Sequence, residues 1–407
     1  MGAVQQPQAE PSSEDRADTT EPSEQYLVGP DSDVTPTISV VMPTLNEAGG
    51  IATCIEWIKE GLADAETYGE IVVSDSSDDR TPEIAREMGA IVVEPDAPGY
   101  GNAYKYAFER VRGQYVVMGD ADTTYDFSQL PRLLEPVAEG DADICMGSRL
   151  NGEIEPGAMP LLHQYVGNPL LTAFLNAFYD TNVSDSHSGF RVFDRSVLDE
   201  LALETTGMEF ASEMVMEAGA RDLTIEEVPI TYHEREGDAT LNSFRDGWRH
   251  VRFMLVNAPG YLFLYPGAAL IALGAVVMAL AGTGVAVGDV SFGTHSIIAG
   301  SLSTIVGLQI ASFGVFARLA GNPVNEPRDA ITTAIVDRLR LEHGVVAGLA
   351  LLTVGGGYGA WLVGRWAASG FQRLPLVGAD VVAFTAIVLG LQAVFSSFFF
   401  STLADDA

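Results

Sequence analysis

Four stretches in the C-terminal part constrain this chain most. Residues 261–287, 297–319, 344–363 and 381–403 are long and nearly free of charge. A helix of roughly 20 apolar residues crosses about 30 Å of hydrocarbon. Inside lipid the backbone must satisfy its own hydrogen bonds, which leaves only helices or closed barrels. One such stretch would fit a buried helix of a soluble domain; four in succession predict an all-α transmembrane bundle over 261–407. Arg245, Arg249 and Arg252 precede the first stretch, and Arg318, Arg328, Arg338 and Arg340 lie near or in the second connection. The first connection has no Lys or Arg, and the third has only Arg365 and Arg373. This bias places both termini on the cytoplasmic side of a multi-pass cell-membrane protein. Trp248, Phe253 and Tyr261 alternate with the arginines, which suits an interfacial helix over 246–260.

The rest of the chain is acidic. Fifty-five Asp and Glu face 22 Lys and Arg, for a net charge of -33, which argues against nucleic-acid binding. Such an excess repels itself in dilute buffer, whereas molar salt shortens the Debye length to about 3 Å. A halophilic source follows. Two cysteines are too few for a disulfide framework, and Cys54 and Cys145 sit in helical and strand-like patterns as core residues. Residues 1–34, rich in Glu, Asp, Ser, Thr and Pro, read as a disordered acidic tail. No apolar h-region opens the chain, so the domain behind it is expected in the cytoplasm.

Over 35–245 short β-branched runs alternate with helical stretches, the pattern of βα units on a mostly parallel sheet. The runs are 38–42, 70–74, 90–94, 115–119 and 143–147, with a closing strand at 224–232. Helical spacing appears at 47–65, 81–89, 100–112 and 128–139; Thr81-Pro82-Glu83 has the form of a helix start. Open sheets of this kind bind ligands at the carboxyl ends of their strands. There the first run delivers Pro43-Thr44-Leu45-Asn46-Glu47, and the second Ser74-Asp75-Ser76-Ser77-Asp78-Asp79. Carboxylates at these ends can accept from base and ribose hydroxyls, while Asn46 and Asp79 are also suited to cap helices, worth about 1 kcal/mol each. The fourth run leads straight into Asp120-Ala121-Asp122. Two carboxylates on the end of a buried strand suit a hard divalent cation and, through it, a diphosphate.

Together these motifs resemble family 2 glycosyltransferases of the GT-A type, and among them the archaeal dolichyl-phosphate hexose (mannose or glucose) synthases with C-terminal transmembrane helices. The resemblance covers roughly 37–245 and rests on 43–47, the Asp75–Asp79 cluster, Gly99-Tyr100-Gly101-Asn102, Asp120-Ala121-Asp122, Gly147-Ser148-Arg149 and Ser188-Gly189-Phe190-Arg191. It implies an α/β, Rossmann-like GT-A domain that binds a UDP- or GDP-hexose. Pro43, Glu47, Asp75 and Asp79, with Gly101 and Asn102, would line the nucleotide-sugar pocket. Asp120 and Asp122 would hold Mg2+ or Mn2+, and Arg149 would approach the donor phosphates. Arg235, with the loop 236–243 ending at Ser243, occupies the region that in such synthases meets the acceptor phosphate. A guanidinium fork matches phosphate oxygens. Arg191 belongs either there or in an ion pair with a nearby carboxylate. Ser74 stands where the family commonly has the first of two adjacent aspartates, and Thr123-Thr124-Tyr125 where mannose synthases often carry Gln. The base and the donor sugar therefore stay open.

The expected reaction is inverting transfer of a hexose to a polyprenyl phosphate such as dolichyl phosphate, an acceptor that is already ionised and needs no strong base. An alternative is extension of a lipid-linked glycan in N-glycosylation of a surface (S-layer) glycoprotein. A sugar hydroxyl then needs a general base, with Asp185 or Glu213 as the candidate; Glu209 and Glu213 share a helix face at i, i+4. His187 fits a loop hydrogen bond better than catalysis. A third reading makes the helices a lipid flippase or scaffold beside a degenerate catalytic domain, against which the intact carboxylates argue. A homo-oligomer is left open. The charge reading makes a direct prediction: the thermal unfolding midpoint of the detergent-solubilised protein should rise between 0.1 M and 2 M KCl, and a flat profile would remove the inference of a halophilic source.

Overall fold

The computed structural model describes residues 24–236, 243–283, 286–287, 290–320, 341–372 and 378–404. Seven strands form one sheet: β1 (Ile38–Thr44), β2 (Gly69–Asp75), β3 (Ile91–Val93), β4 (Tyr115–Met118), β5 (Ile144–Ile154), β6 (Arg191–Asp194) and β7 (Ile225–Tyr232). Their order is β3-β2-β1-β4-β6-β5-β7. Strand β6 pairs antiparallel with both β4 and β5, and every other pairing is parallel. The sheet is mostly parallel, as expected, but the reversed strand at 191–194 is not among the expected runs. It is four residues long, too short for a period-2 signal.

Helices cover both faces, which is why the central strands are apolar throughout rather than alternating. On one face Ile38, Val40 and Met42 pack with Ile51, Ile55 and Ile58 of α1 (Ile51–Asp64) and with Leu130 and Leu133 of α4 (Leu130–Glu139); α2 (Thr81–Glu87) adds Ala85. On the other, Val41, Val116 and Met118 meet α3 (Tyr100–Phe108), α5 (Asn168–Tyr179) and α7 (Phe210–Ala220) through Tyr104, Leu175 and Phe210. A short α6 (Val197–Glu200) follows β6. With both faces closed, polar chemistry is confined to the carboxyl edge, where β1, β2 and β4 end side by side.

Part of the expected disordered tail is ordered. Residues 1–23 lie outside the described residues, but Glu24–Tyr26 forms a 3-10 turn, Leu27 bridges to Gly69, and Val28 is buried with its N–H on the Gly69 carbonyl at 2.8 Å. Tyr26 and Leu27 supply the apolar surface that the rest of the segment lacks, and both pack against the core.

Beyond the sheet, α8 (Ser243–Val256) runs into Gly260–Thr283, Thr294–Ala320, Leu341–Ala368 and Gly378–Thr402. Each is long and apolar enough to cross a membrane. Glycines spaced seven residues apart mark the helix contacts. A Cβ on Gly267 would lie 2.7 Å from the Gly307 carbonyl, and one on Gly274 would lie 2.4 Å from the Gly300 carbonyl. Gly348 meets Gly390 in the same way in the second pair. In lipid no hydrophobic force draws helices together, so small residues that let backbones approach carry the packing. Ser301 and Thr385 hydroxyls bond at 2.6 Å between the second and fourth helices. Gly274→Leu should therefore weaken the first pair by about 2 kcal/mol through overpacking, read as unfolding at a lower SDS fraction. Gly282→Leu, where nothing lies within 4 Å, should leave the transition unmoved.

Candidate active site

The loops after β1 and β2 are sewn together by their own polar side chains. Thr44 donates to Asp75 Oδ1 at 2.7 Å, and Ser77 donates to Asp75 through its hydroxyl at 2.6 Å and its N–H at 3.2 Å. Asn46 sits at φ 61, donates its N–H to Ser77 Oγ at 2.7 Å and accepts from Asp78 N–H at 3.0 Å. It does not cap α1, whose N-cap is Gly50. Asp79 accepts from Thr81 N–H, the Thr81 hydroxyl and Ala48 N–H. Partial desolvation raises its pKa, but those donors outweigh it and hold the carboxyl below its usual value. Pro43 lies beside Ser74 in the β1–β2 register, half-buried.

Strand β4 ends at Met118, two residues before Asp120. Tyr100, at the start of α3, donates to Asp120 Oδ1 at 2.9 Å. Loss of solvent and then the neighbouring Asp122 push Asp120 up to about 7. Asp122 accepts on Oδ1 from the Thr124 hydroxyl at 2.5 Å and its N–H at 3.2 Å, across Thr123 at φ 64. Its other oxygen lies 3.4 Å from Arg235 Nη1, while Arg235 Nη2 reaches Glu47 Oε1 at 2.5 Å. One arginine from the segment after β7 thus bridges the β1 loop and the Asp-x-Asp pair. Burial raises Glu47 more than Arg235 lowers it. Gly189 passes overhead: a Cβ there would lie 3.3 Å from Asp120 Oδ2, and its N–H donates to the Tyr125 hydroxyl at 2.8 Å.

Arg149, from the middle of β5, donates to Asp185 through Nε at 2.7 Å, Nη2 at 2.8 Å and its backbone N–H at 3.1 Å. Its guanidinium also lies 5.2 Å from the Tyr232 ring. Desolvation works against both charges, but the pair outweighs it, raising Arg149 and lowering Asp185. Glu227 in turn accepts the N–H groups of Ser184 and Asp185 at 2.6 and 2.9 Å. Asp185 is thereby committed to Arg149.

The remaining predicted residues are engaged elsewhere. Glu213 is fully buried and accepts from Glu204 N–H, Thr205 N–H and the Thr205 hydroxyl, so it clamps the 204–206 turn. That turn lies against Gly101, where a Cβ would come within 2.6 Å of the Thr205 carbonyl. Asn102 ties down the preceding loop through the Ala97 carbonyl at 2.6 Å. Arg191 is fully buried and pairs with no carboxylate among the described residues. It donates to the Ser188 and Ser186 carbonyls, and its Nη1 has no partner among them. Burial lowers its pKa. His187 bonds Ser186 and Ser212, and burial, followed by the neighbouring His250, brings it down to about 3. The Ser243 side chain lies outside the described residues. The geometry adds Tyr100, Tyr125, Tyr232 and Glu227. The two tyrosines adjoining the glycine and Asp-x-Asp motifs were within reach of the sequence; Tyr232 and Glu227 meet the site only through β7.

Matches to known proteins converge on one class. Residues 39–202 match the profile described as Glycosyl transferase family 2, and 315–404 match the Glycosyltransferase family 2 C-terminal transmembrane region. The chain is 57% identical to the low-salt glycan biosynthesis hexosyltransferase Agl6 of Haloferax volcanii, over 94% of this chain and 92% of that protein. It is 36% identical to the dolichyl-phosphate hexose transferase of the same organism, over 52% of this chain and 89% of that one. Among solved structures it is similar to glucosyl-3-phosphoglycerate synthase from Mycobacterium tuberculosis in complex with Mn2+, UDP and glucosyl-3-phosphoglycerate (26% identity, 54% of this chain, 79% of that chain, TM-score 0.44). The site and fold thus define a membrane-bound glycosyltransferase with a GT-A domain. The chain belongs to glycosyltransferase family 2.

Removing the counter-charge tests the site's rigidity. Asp185→Asn leaves Arg149 buried and unpaired, so the domain should lose about 3 kcal/mol at neutral pH. Because Asp185 is depressed, the native pair's contribution is present above the ordinary carboxylate range and is lost as pH falls through its lowered pKa. In acid the stabilities of the wild type and Asp185→Asn should therefore converge in a thermal-melt series.

Proposed function

We propose that this protein transfers a hexose from a UDP- or GDP-sugar to a polyprenyl phosphate, dolichyl phosphate, at the cytoplasmic face of the membrane, in the service of cell-surface glycosylation. The observation that carries this reading is the commitment of both candidate bases. Asp185 is bidentate on Arg149, and Glu213 is buried among donors of the 204–206 turn. A sugar hydroxyl would need such a base, whereas a lipid phosphate arrives ionised. The arginine bias of the connections supports the cytoplasmic placement.

Asp120 and Asp122 fit a divalent cation. Asp122 is buried and Asp120 half-buried, desolvation and the neighbouring Asp122 raise the pKa of Asp120, and Mg2+ or Mn2+ takes one or two carboxylates and completes its shell with phosphates and water. Among the described residues no group of three or more Asp, Glu, His or Cys competes as a metal site. When bound there, the cation neutralises charge on the donor diphosphate. Arg149, held by Asp185, presents a fixed positive charge to the same leaving group. Arg235, between Glu47 and Asp122, would supply the positive charge that meets the acceptor phosphate. The acceptor oxygen then attacks the anomeric carbon opposite the diphosphate; the new C–O bond forms as the sugar–phosphate bond breaks, with inversion. A second reading, extension of a lipid-linked glycan, is favoured by the name of the 57% identical relative, a glycan-biosynthesis hexosyltransferase.

Membranes carrying the protein in molar salt with Mn2+, given radiolabelled UDP-glucose, UDP-N-acetylglucosamine or GDP-mannose, separate the two. Label entering a mild-acid-labile lipid only when dolichyl phosphate is added supports the synthase and names the donor. Incorporation only into a supplied lipid-linked glycan would overturn it. Asp122→Ala should lower turnover by about 10^3-fold, the scale of several kcal/mol of charge stabilisation, with its melting midpoint retained; near-normal turnover would remove the metal assignment.

A further inference from the structure

Helix α3 joins the two edges of the sheet. Its first residue, Tyr100, bonds Asp120 at the catalytic edge, and its last, Phe108, lines a cavity of about 780 Å³ at the opposite edge. Thr37 and Gln114, just before β1 and β4, and Asp194, the last residue of the reversed β6, form the sheet side of that cavity. Its volume falls within the roughly 300–1,000 Å³ of small-molecule sites. Three chemistries meet on its walls: apolar side chains, among them Phe108 and Leu198; three cations, Lys105, Arg112 and Arg195; and carboxylates, of which Asp194 is the deepest in the sheet.

The cations are the unexpected part. The chain has 55 acidic residues against 22 Lys and Arg, and Lys105 is one of its two lysines. Arg112 is committed, with Nε on the buried Glu70 at 2.7 Å. The other two hold only carbonyls: Lys105 Nζ donates to Glu204 at 2.8 Å, and Arg195 Nη1 to Val111 and Arg112 at 3.4 and 3.3 Å. Among the described residues neither makes an ion pair, and each keeps further N–H donors. The nearby acids are turned elsewhere. Asp194 accepts the N–H and hydroxyl of Ser196 at 2.8 and 2.6 Å, and the Glu109 carboxylate side chain is 77% exposed. Two cations with spare donors therefore face the same cavity, and phosphate oxygens match such donors in charge and geometry.

We propose that this cavity is a second nucleotide site that takes a nucleoside monophosphate, with its phosphate on Lys105 and Arg195, its base against Phe108 and the leucines, and its ribose hydroxyls donating to the carboxylates. A bare anion would leave the apolar wall unused, and an apolar ligand would leave the cations unused. The occupant reaches the catalytic edge through residues 201–206. Leu201 and Leu203 line the cavity, Lys105 holds the Glu204 carbonyl, and the Thr206 carbonyl accepts the Asn102 N–H at 3.3 Å. This turn thus rests on the start of α3, where Tyr100 donates to Asp120. A phosphate that draws Lys105 from Glu204 loosens the turn and with it the Tyr100–Asp120 bond. That bond favours the ionised carboxylate, so nucleotide in the cavity weakens cation binding at Asp120. Binding in the cavity is independent of the acceptor; its effect at the other edge rests on Asp120 and Asp122 being the cation pair.

Equilibrium dialysis of radiolabelled AMP against the detergent-solubilised full-length protein in molar KCl tests this. AMP is the probe because neither donor class carries adenine, and EDTA with the Asp120→Asn/Asp122→Asn double variant removes metal-assisted binding in the donor pocket. One AMP per chain should bind, at least tenfold more tightly than inorganic phosphate or adenosine. Lys105→Met and Arg195→Gln should each weaken it about tenfold, the size of one lost charged contact. Arg195→Gln does not touch the Glu204 carbonyl, so it decides the matter if Lys105→Met loses its native melting midpoint. AMP binding that is lost in the double aspartate variant, unchanged in both cation variants, or absent at millimolar AMP would overturn the site. Phosphate binding as tight as that of AMP would overturn the nucleotide. In the wild type, saturating AMP should weaken Mn2+ binding several-fold, and bound Mn2+ should weaken AMP by the same factor; an unmoved Mn2+ affinity would overturn the link between the two edges.

Discussion

Placing charge at the buried end of a β-strand is the constraint on which the rest of the catalytic domain depends. The helices on both faces leave the carboxyl edge as the place where polar groups can gather, and there desolvation penalises every ionised side chain. The domain answers with compensation at each point. Tyr100 hydrogen-bonds Asp120, Thr124 supports Asp122, Arg235 bridges Asp122 to Glu47, and Asp185 takes both arms of Arg149. Asp120 keeps a raised pKa all the same, so the charge at the end of β4 is left incompletely balanced.

That arrangement sits on a frame that is itself tied to the membrane. The loop carrying Asp185 is bonded to α5 through Thr172 and, through His187, Ser212 and His250, to α8. Both helices lead to the start of the first spanning helix. The glycine contacts between the spanning helices then need no side-chain interlock, which leaves most of their apolar side chains facing lipid.

Much of this was legible in the residues. The apolar runs of β1, β2 and β4, the Pro-initiated α2 and the acidic turns after the strands are local patterns, and so is the placing of Asp120 and Asp122 just beyond the end of β4. Between residues 155 and 208 no element was legible, whereas the helical spacing of Glu209 and Glu213 falls at the start of α7. Strand β6 is too short to show a period, and α5 is apolar on two sides, so it lacks the polar face by which a surface helix announces itself. The two candidate bases illustrate a different limit. Nothing local to Asp185 tells of Arg149, 36 residues earlier, and nothing local to Glu213 tells of the turn at 204–206.

Composition and local order alone therefore determined the membrane helices, the α/β alternation and the residue types at the strand ends, because each is a property of chain segments a few turns long. Tertiary structure decided which carboxylates were paired, where the reversed strand entered the sheet, and that an uncharged helix would face outward beside the first span. Those outcomes depend on groups far apart in the chain meeting where water is excluded, and the balance of desolvation against pairing exists only once they have met.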